Sequence, residues 1–125
     1  MTDVRVAGVG LTPFGSHPER TGRDLFAEAA LRAFEDADVD SSDVEELNYG
    51  NFMGALAEHQ GHQAPLMAEV AGVRCPATRY ESACASAGVA VREAVRTVAA
   101  DDADVVLAGG MERMTNLPTD EVTEG

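Results

Sequence analysis

The sequence contains no lysine and no tryptophan: all nine basic residues among its 125 are arginines. They stand against 22 acidic residues, for a net charge of −13. Such an acidic surface repels phosphate backbones, which excludes DNA and RNA as expected partners. Long apolar runs are also missing. Val89 to Val91 and Val105 to Gly110 fall far below the roughly 20 residues that a membrane-spanning helix needs. The first ten residues carry Asp3 and Arg5 and lack the basic start, apolar stretch and cleavage site of a secretion signal. A cytoplasmic protein that does not enter a membrane is the expectation. Cysteine is scarce too. Cys75 and Cys84 are too few for a disulfide framework, and their spacing matches no zinc pattern.

The acidic residues are dispersed rather than gathered into a tail. Concentrated salt screens self-repulsion on such a surface while its charge keeps the protein soluble, so a halophilic source is expected.

What is present alternates between two periods. Val4 to Gly10 is short, Val-rich and closed by glycine, which reads as a buried strand. Pro13, Gly15, Pro18 and Gly22 mark a loop. Asp24 to Asp38 follows a helical period, with Leu25, Phe26, Ala30, Phe34 and Ala37 on one face. Ser42 and Glu45 have capping-box spacing for one short helical turn. Leu47 to Met53 reads as a second strand, residues 54–65 as a loop and Leu66 to Ala71 as a short helix ended by Gly72. A third strand, Ala77 to Glu81, precedes a long helix over Cys84 to Ala100, with Ala87, Val91, Ala94, Val95 and Val98 facing inward. Val105 to Ala108 is the fourth strand. This order implies a layered α/β domain: a mostly parallel, mixed sheet with helices on both faces. The chain ends in a polar segment soon after a strand, so residues 1–125 read as one domain incomplete at its C-terminal end, with an exposed sheet edge.

The stretch Thr78 to Val91 carries the chemistry. A strand runs through a turn of small residues into a helix that begins near Cys84. A sulfur there sits at the positive end of the helix dipole, beside unpaired N–H groups, and both favour the nucleophilic thiolate. Ala83, Ala85, Ser86, Ala87 and Gly88 leave room for a substrate carbonyl. By local chemistry alone, a small buried hydrophobe is the competing reading of this cysteine.

Several motifs in order resemble the thiolase family. Ser82-Ala83-Cys84-Ala85-Ser86 is similar to its Cys-x-Ser nucleophile motif, and Val105 to Met114 to its Gly-Gly-Met-Glu-x-Met strand and turn. Gly50-Asn51 and Gly61 to Pro65 resemble the end of the second strand and a loop that reaches across the dimer. Gly8 to Gly15 resembles the opening of archaeal and sterol-carrier-type members. The resemblance implies a CoA-thioester acyltransferase, acetyl-CoA acetyltransferase or 3-ketoacyl-CoA thiolase, with Cys84 as the catalytic acyl acceptor. It implies Ser86, Gly88, Gly110, Met111 and Glu112 as support for the active site, and His62 and Gln63 as dimer-loop candidates. CoA thioesters are the expected substrates, no resident cofactor is expected, and a homodimer or higher homo-oligomer is. Two positions depart from the family pattern: Glu81 stands where many members have Asn, and Ala87 where many have Gly. The family's Gly-His-Pro histidine and its second cysteine, in Cys-x-Gly, belong to its C-terminal half; the 125 residues contain neither motif. A partner chain bearing that half is one expectation. A ketosynthase-type condensing enzyme and a non-catalytic subunit or truncated remnant are the alternatives.

Other features read as ordinary structure. Ser16-His17-Pro18 imitates Gly-His-Pro but lies in the first loop. His59 and His62 have no third partner at metal-ligand spacing, so no metal is expected. Met53, Met67, Met111 and Met114 read as gap fillers, and Cys75 as a packed thiol.

Overall fold

The computed structural model describes residues 2–117. Helix α1, Gly22–Ala37, opens on a reciprocal capping box. The Asp24 N–H donates to Thr21 Oγ1 at 3.1 Å, and the Thr21 N–H donates to Asp24 Oδ2 at 2.9 Å. These bonds satisfy donors that a helix start otherwise leaves unpaired, and they hold the Asp24 carboxyl below the ordinary carboxylate range. Leu25, Phe26 and Ala30 are buried on the expected face, with Phe34 and Ala37 half-buried beyond them. The helix stops at Asp38, whose backbone is left-handed at φ 54°.

A 3-10 turn, Ser41–Asp43, follows. The expected pair of Ser42 and Glu45 does not close it. Asp43 Oδ2 instead accepts from the Asp40 N–H at 3.1 Å. Glu45 Oε1 accepts from the N–H groups of Asp104 and Val105, at 2.9 and 3.2 Å, and so ties together the entries of two strands.

Three strands form the sheet: β1 (Glu46–Gly50), β2 (Ala77–Tyr80) and β3 (Val106–Gly110). Their order is β2-β1-β3 and both pairings are parallel. Gly50 stands opposite Tyr80 on one side and Gly110 on the other, so the strands end level. Alternate residues of β1 face opposite ways. Leu47 and Tyr49 enter the main core with Leu25, Phe26 and Met67, beneath α1 and α3 (Gln63–Ala71). The Phe26 and Tyr49 rings meet edge to face, with centroids 5.2 Å apart. Asn48 turns the other way, and its Nδ2 donates to the carbonyl of Ala90 in α4 (Ser86–Ala99) at 3.3 Å. Helices therefore cover both faces. A short helix, α2 (Gly54–Ala57), lies between β1 and α3, and a 3-10 turn, Met114–Asn116, follows β3.

Two expectations are corrected. Val4 to Gly10 is not a strand of this sheet. Its backbone lies along α1, so close that a Cβ on Gly10 would come within 2.0 Å of the Ala29 carbonyl oxygen. The Val9 N–H donates to Asp36 Oδ2 at 2.8 Å rather than to a neighbouring strand. Val6 and Val9 consequently point outward, 81% and 68% exposed. The second correction concerns α4: Ala94 is buried and Val98 half-buried as expected, but Val91 and Val95 are exposed, Ala87 meets the sheet through its backbone while its side chain stays exposed, and Ser86 and Ala90 are buried instead. The helix sits on small side chains, and only a small-residue stripe permits that approach.

Candidate active site

β2 ends at Tyr80 and α4 begins at Ser86; Cys84 sits between them and is exposed. It lies two residues before the first helical residue, not within the helix as expected. The turn is held by several bonds. The Ser82 N–H donates to Ser86 Oγ at 2.9 Å, and Ser86 Oγ–H donates to the Ala83 carbonyl at 2.7 Å. The Ala85 N–H donates to the Ser82 carbonyl at 2.9 Å. Ser86 is buried although polar, because its hydroxyl is used in both directions. Ala83, next to the cysteine, has φ 50°, a left-handed conformation. Its N–H donates to Glu81 Oε2 at 2.6 Å. Glu81 thus carries structure that its departure from the family pattern does not announce.

The position of the turn follows from how closely α4 sits on the sheet. A Cβ on Gly50 would lie 2.5 Å from the Cα of Ala87. A Cβ on Gly110 would lie 2.1 Å from the Gly50 carbonyl oxygen. Neither glycine can be replaced without moving backbone. Ala87 itself lies within α4 and is not among the residues of positive φ, so its side chain adds no backbone strain. Around Gly88 the space is open.

The turn after β3 is anchored separately. Glu112 Oε1 accepts from Asn51 Nδ2 at 3.2 Å and from the Met53 N–H at 3.0 Å, and its other oxygen accepts from the Phe52 N–H. Buried Asn51 completes the link: its Nδ2 donates to the Met111 carbonyl at 2.6 Å, and its Oδ1 accepts from the Gly54 N–H at 2.8 Å. Met111 is buried in the core. These bonds of Glu112 run to the segment after β1, not to the Cys84 turn. The structure thus joins Ser86 to the cysteine turn and places Gly110 against Gly50 beneath α4, while Met111 and Glu112 fasten an adjoining loop.

The two dimer-loop candidates separate. His62 is exposed, at the N-cap of α3. Gln63 is buried within its own domain: the Tyr49 hydroxyl donates to its Oε1 at 3.3 Å, and its Nε2 donates to the Gln60 carbonyl at 2.8 Å. Its amide is spent on the core and does not reach outward. Burial, with the Glu112 and Glu58 charges adding to it, pushes the Tyr49 hydroxyl pKa up from its ordinary value. Cys75 is half-buried against the core, and its thiol is also pushed up, by burial first and by Glu46 second. His17 bonds through Nε2 to the Pro13 carbonyl at 2.7 Å within the first loop. Among the described residues no group of three or more His, Cys, Asp or Glu side chains is arranged to hold a metal ion, and no helix is long and apolar enough to cross a membrane.

The chain is similar to known proteins. Residues 4–125 match the model of the thiolase N-terminal domain. An acetyl-CoA acetyltransferase of Methanocaldococcus jannaschii is 46% identical over 118 residues, 94% of this chain and 30% of that protein. The acetyl-CoA acetyltransferase of Methanothermobacter thermautotrophicus is 42% identical over 118 residues, 94% of this chain and 31% of that protein. A solved structure of acetyl-CoA acetyltransferase from Syntrophomonas wolfei superposes with a TM-score of 0.76 at 24% identity, over 96% of this chain and 32% of that one, which shows a common fold. The chain spans about three tenths of the length of these relatives. On the family match and the order of its motifs, the chain belongs to the thiolase family and corresponds to its N-terminal domain.

Proposed function

We propose that this protein supplies the acyl-accepting half of a thiolase-type active site, acting on CoA thioesters as an acetyl-CoA C-acetyltransferase. The observation that carries this reading is the placement of Cys84: exposed, on a braced turn between a parallel strand and the start of α4, within the thiolase nucleophile motif. As thiolate, its Sγ attacks the carbonyl carbon of acetyl-CoA. A carbon–sulfur bond to Cys84 forms, the bond to CoA breaks, and CoA leaves as a thiol after taking up a proton. A second acetyl-CoA, deprotonated at its methyl carbon, then attacks the acetyl-cysteine. The products are acetoacetyl-CoA and, once reprotonated, the free Cys84 thiol. The relatives' names support CoA-linked over carrier-linked acyl groups.

Deprotonating the thiol and the second substrate requires acid–base groups. The sequence contains neither Gly-His-Pro nor Cys-x-Gly, so these groups are proposed to come from outside the 125 residues, on the same protein or on a partner chain. A cytoplasmic homo-oligomer without a resident cofactor completes the proposal, with exposed His62 near the subunit contact and a role in lipid metabolism. The acidic, lysine-free composition supports a salt-rich cytoplasm; greater thermal stability in dilute buffer than in concentrated salt would sink that part. The central test is mass spectrometry of the chain after incubation with acetyl-CoA. One acetyl group on Cys84, absent in Cys84→Ala, is the expected result. Acetylation elsewhere, or none, overturns the assignment. Complete turnover by the 125-residue chain alone overturns the division of the site.

A further inference from the structure

We propose that Glu81 is a positioning residue for Cys84, its carboxylate closing a turn that locks Ala83 in the conformation from which the cysteine is presented. The role in catalysis rests on the reading of Cys84 as acyl acceptor; the turn itself does not. Ala83 has φ 50°. An L-residue other than glycine resists this region, because its Cβ crowds the backbone carbonyl, so the conformation needs support from its surroundings.

Here the support comes from both sides of the residue. The Ala83 N–H donates to Glu81 Oε2 at 2.6 Å, and the Ala83 carbonyl accepts from Ser86 Oγ–H at 2.7 Å. The Ser86 end is buried and belongs to α4. The Glu81 end is exposed, so its contribution is to the geometry of the turn rather than to the packing of the core.

The pattern of this bond is that of a side-chain turn. A side-chain oxygen on residue i accepting from the N–H of residue i+2 is the bond by which Asn and Asp build an Asx turn. Glu81 makes the same i to i+2 connection through a side chain one methylene longer. What the site uses at position 81 is a side-chain oxygen, not a negative charge.

That distinction sets the test. In the full chain, Glu81→Ala, Glu81→Gln and Glu81→Asn are compared with the wild type. The readouts are the acetylation rate of Cys84 by acetyl-CoA, the iodoacetamide alkylation rate of Cys84 against pH, and the amide proton shift of Ala83 by NMR. Glu81→Ala moves the Ala83 amide proton upfield and slows acetylation about tenfold, the scale on which a lost hydrogen bond to a charged acceptor registers. Glu81→Gln and Glu81→Asn each keep an acceptor oxygen and recover most of that loss. A wild-type acetylation rate in Glu81→Ala overturns the proposal. So does a Glu81→Gln variant as slow as Glu81→Ala, which would make the charge and not the bond the active element. If acetyl-CoA leaves the wild-type cysteine unmodified, the proposed function falls, and the turn is judged on the other two readouts. An unchanged Ala83 shift together with an unchanged alkylation profile in Glu81→Ala then overturns it.

Discussion

The two faces of the sheet are built on opposite principles. Beneath α1 and α3, large side chains interlock: Phe26, Leu47, Tyr49 and Met67 are all buried. Against α4, the contact runs through Gly50, Gly110, Ala87, Ala90 and the amide of Asn48. The first face gains its stability by removing apolar area from water. The second buries less of it and holds a backbone at short range, which brings the start of α4, and hence Cys84, to the level end of the strands. One face keeps the domain folded and the other aims its cysteine.

This division can be broken experimentally. Leu47→Ala, on the large-residue face, should cost about 2–5 kcal/mol in a urea titration, the range for deleting a fully buried aliphatic side chain. Cys84 reactivity measured below the new unfolding midpoint should change little. Gly50→Ala, on the close-approach face, should cost about 1–3 kcal/mol, the scale of overpacking. It should also alter the alkylation rate of Cys84, because the new methyl group meets α4 backbone. Equal reactivity changes in the two variants would erase the contrast.

Alkaline pH acts on the large-residue face through Tyr49. Buried Tyr49 stays neutral above the pH at which a free tyrosine ionises, so its folded pKa is raised. The stability this represents is fully present below about pH 10 and is lost as pH rises from there toward the folded value, at about 1.4 kcal/mol per pH unit. Unfolding free energy followed from pH 9 upward, with tyrosinate absorbance recorded in parallel, checks the slope. Ionisation of Tyr49 in the intact fold near its ordinary value would contradict it. The smallest effect belongs to the outer side of α4. Val95→Ala, at a position 43% exposed, should change stability in the isolated chain by no more than about 0.5 kcal/mol.

The large-residue face was the more legible of the two in the sequence. Leu25, Phe26 and Ala30 recur at helical spacing, and Gly72 reads as a helix stop and is one, a left-handed cap with φ 73°. Strands β1, β2 and β3 were each located to within a few residues. The small-residue face was less legible, because hydropathy favours Val91 and Val95 over Ser86 and Ala90 as inward residues, whereas close approach selects by size. Val4 to Gly10 has strand composition but no strand partner among the described residues, and a partner is not a property of seven residues. Cys84 could be picked out by its motif and its neighbours. The bond from Glu81 to Ala83 could not, since it depends on a backbone angle that no local pattern announces. Gln63 resembled a loop contact by position, and only the core shows what its amide binds.

The level pairing of β1 between β2 and β3 also has a kinetic side. Glu46 faces Val106, sixty residues further along the chain. The central strand is made before β3, and its second edge must wait for the sixty residues between them to emerge. At ribosomal speeds of roughly 5–20 residues per second, that is an exposure of several seconds. Contacts of such separation form slowly, and an unpaired edge is open to foreign strands in the meantime. The central strand of a three-stranded parallel sheet thereby keeps one open edge while the intervening sixty residues are made.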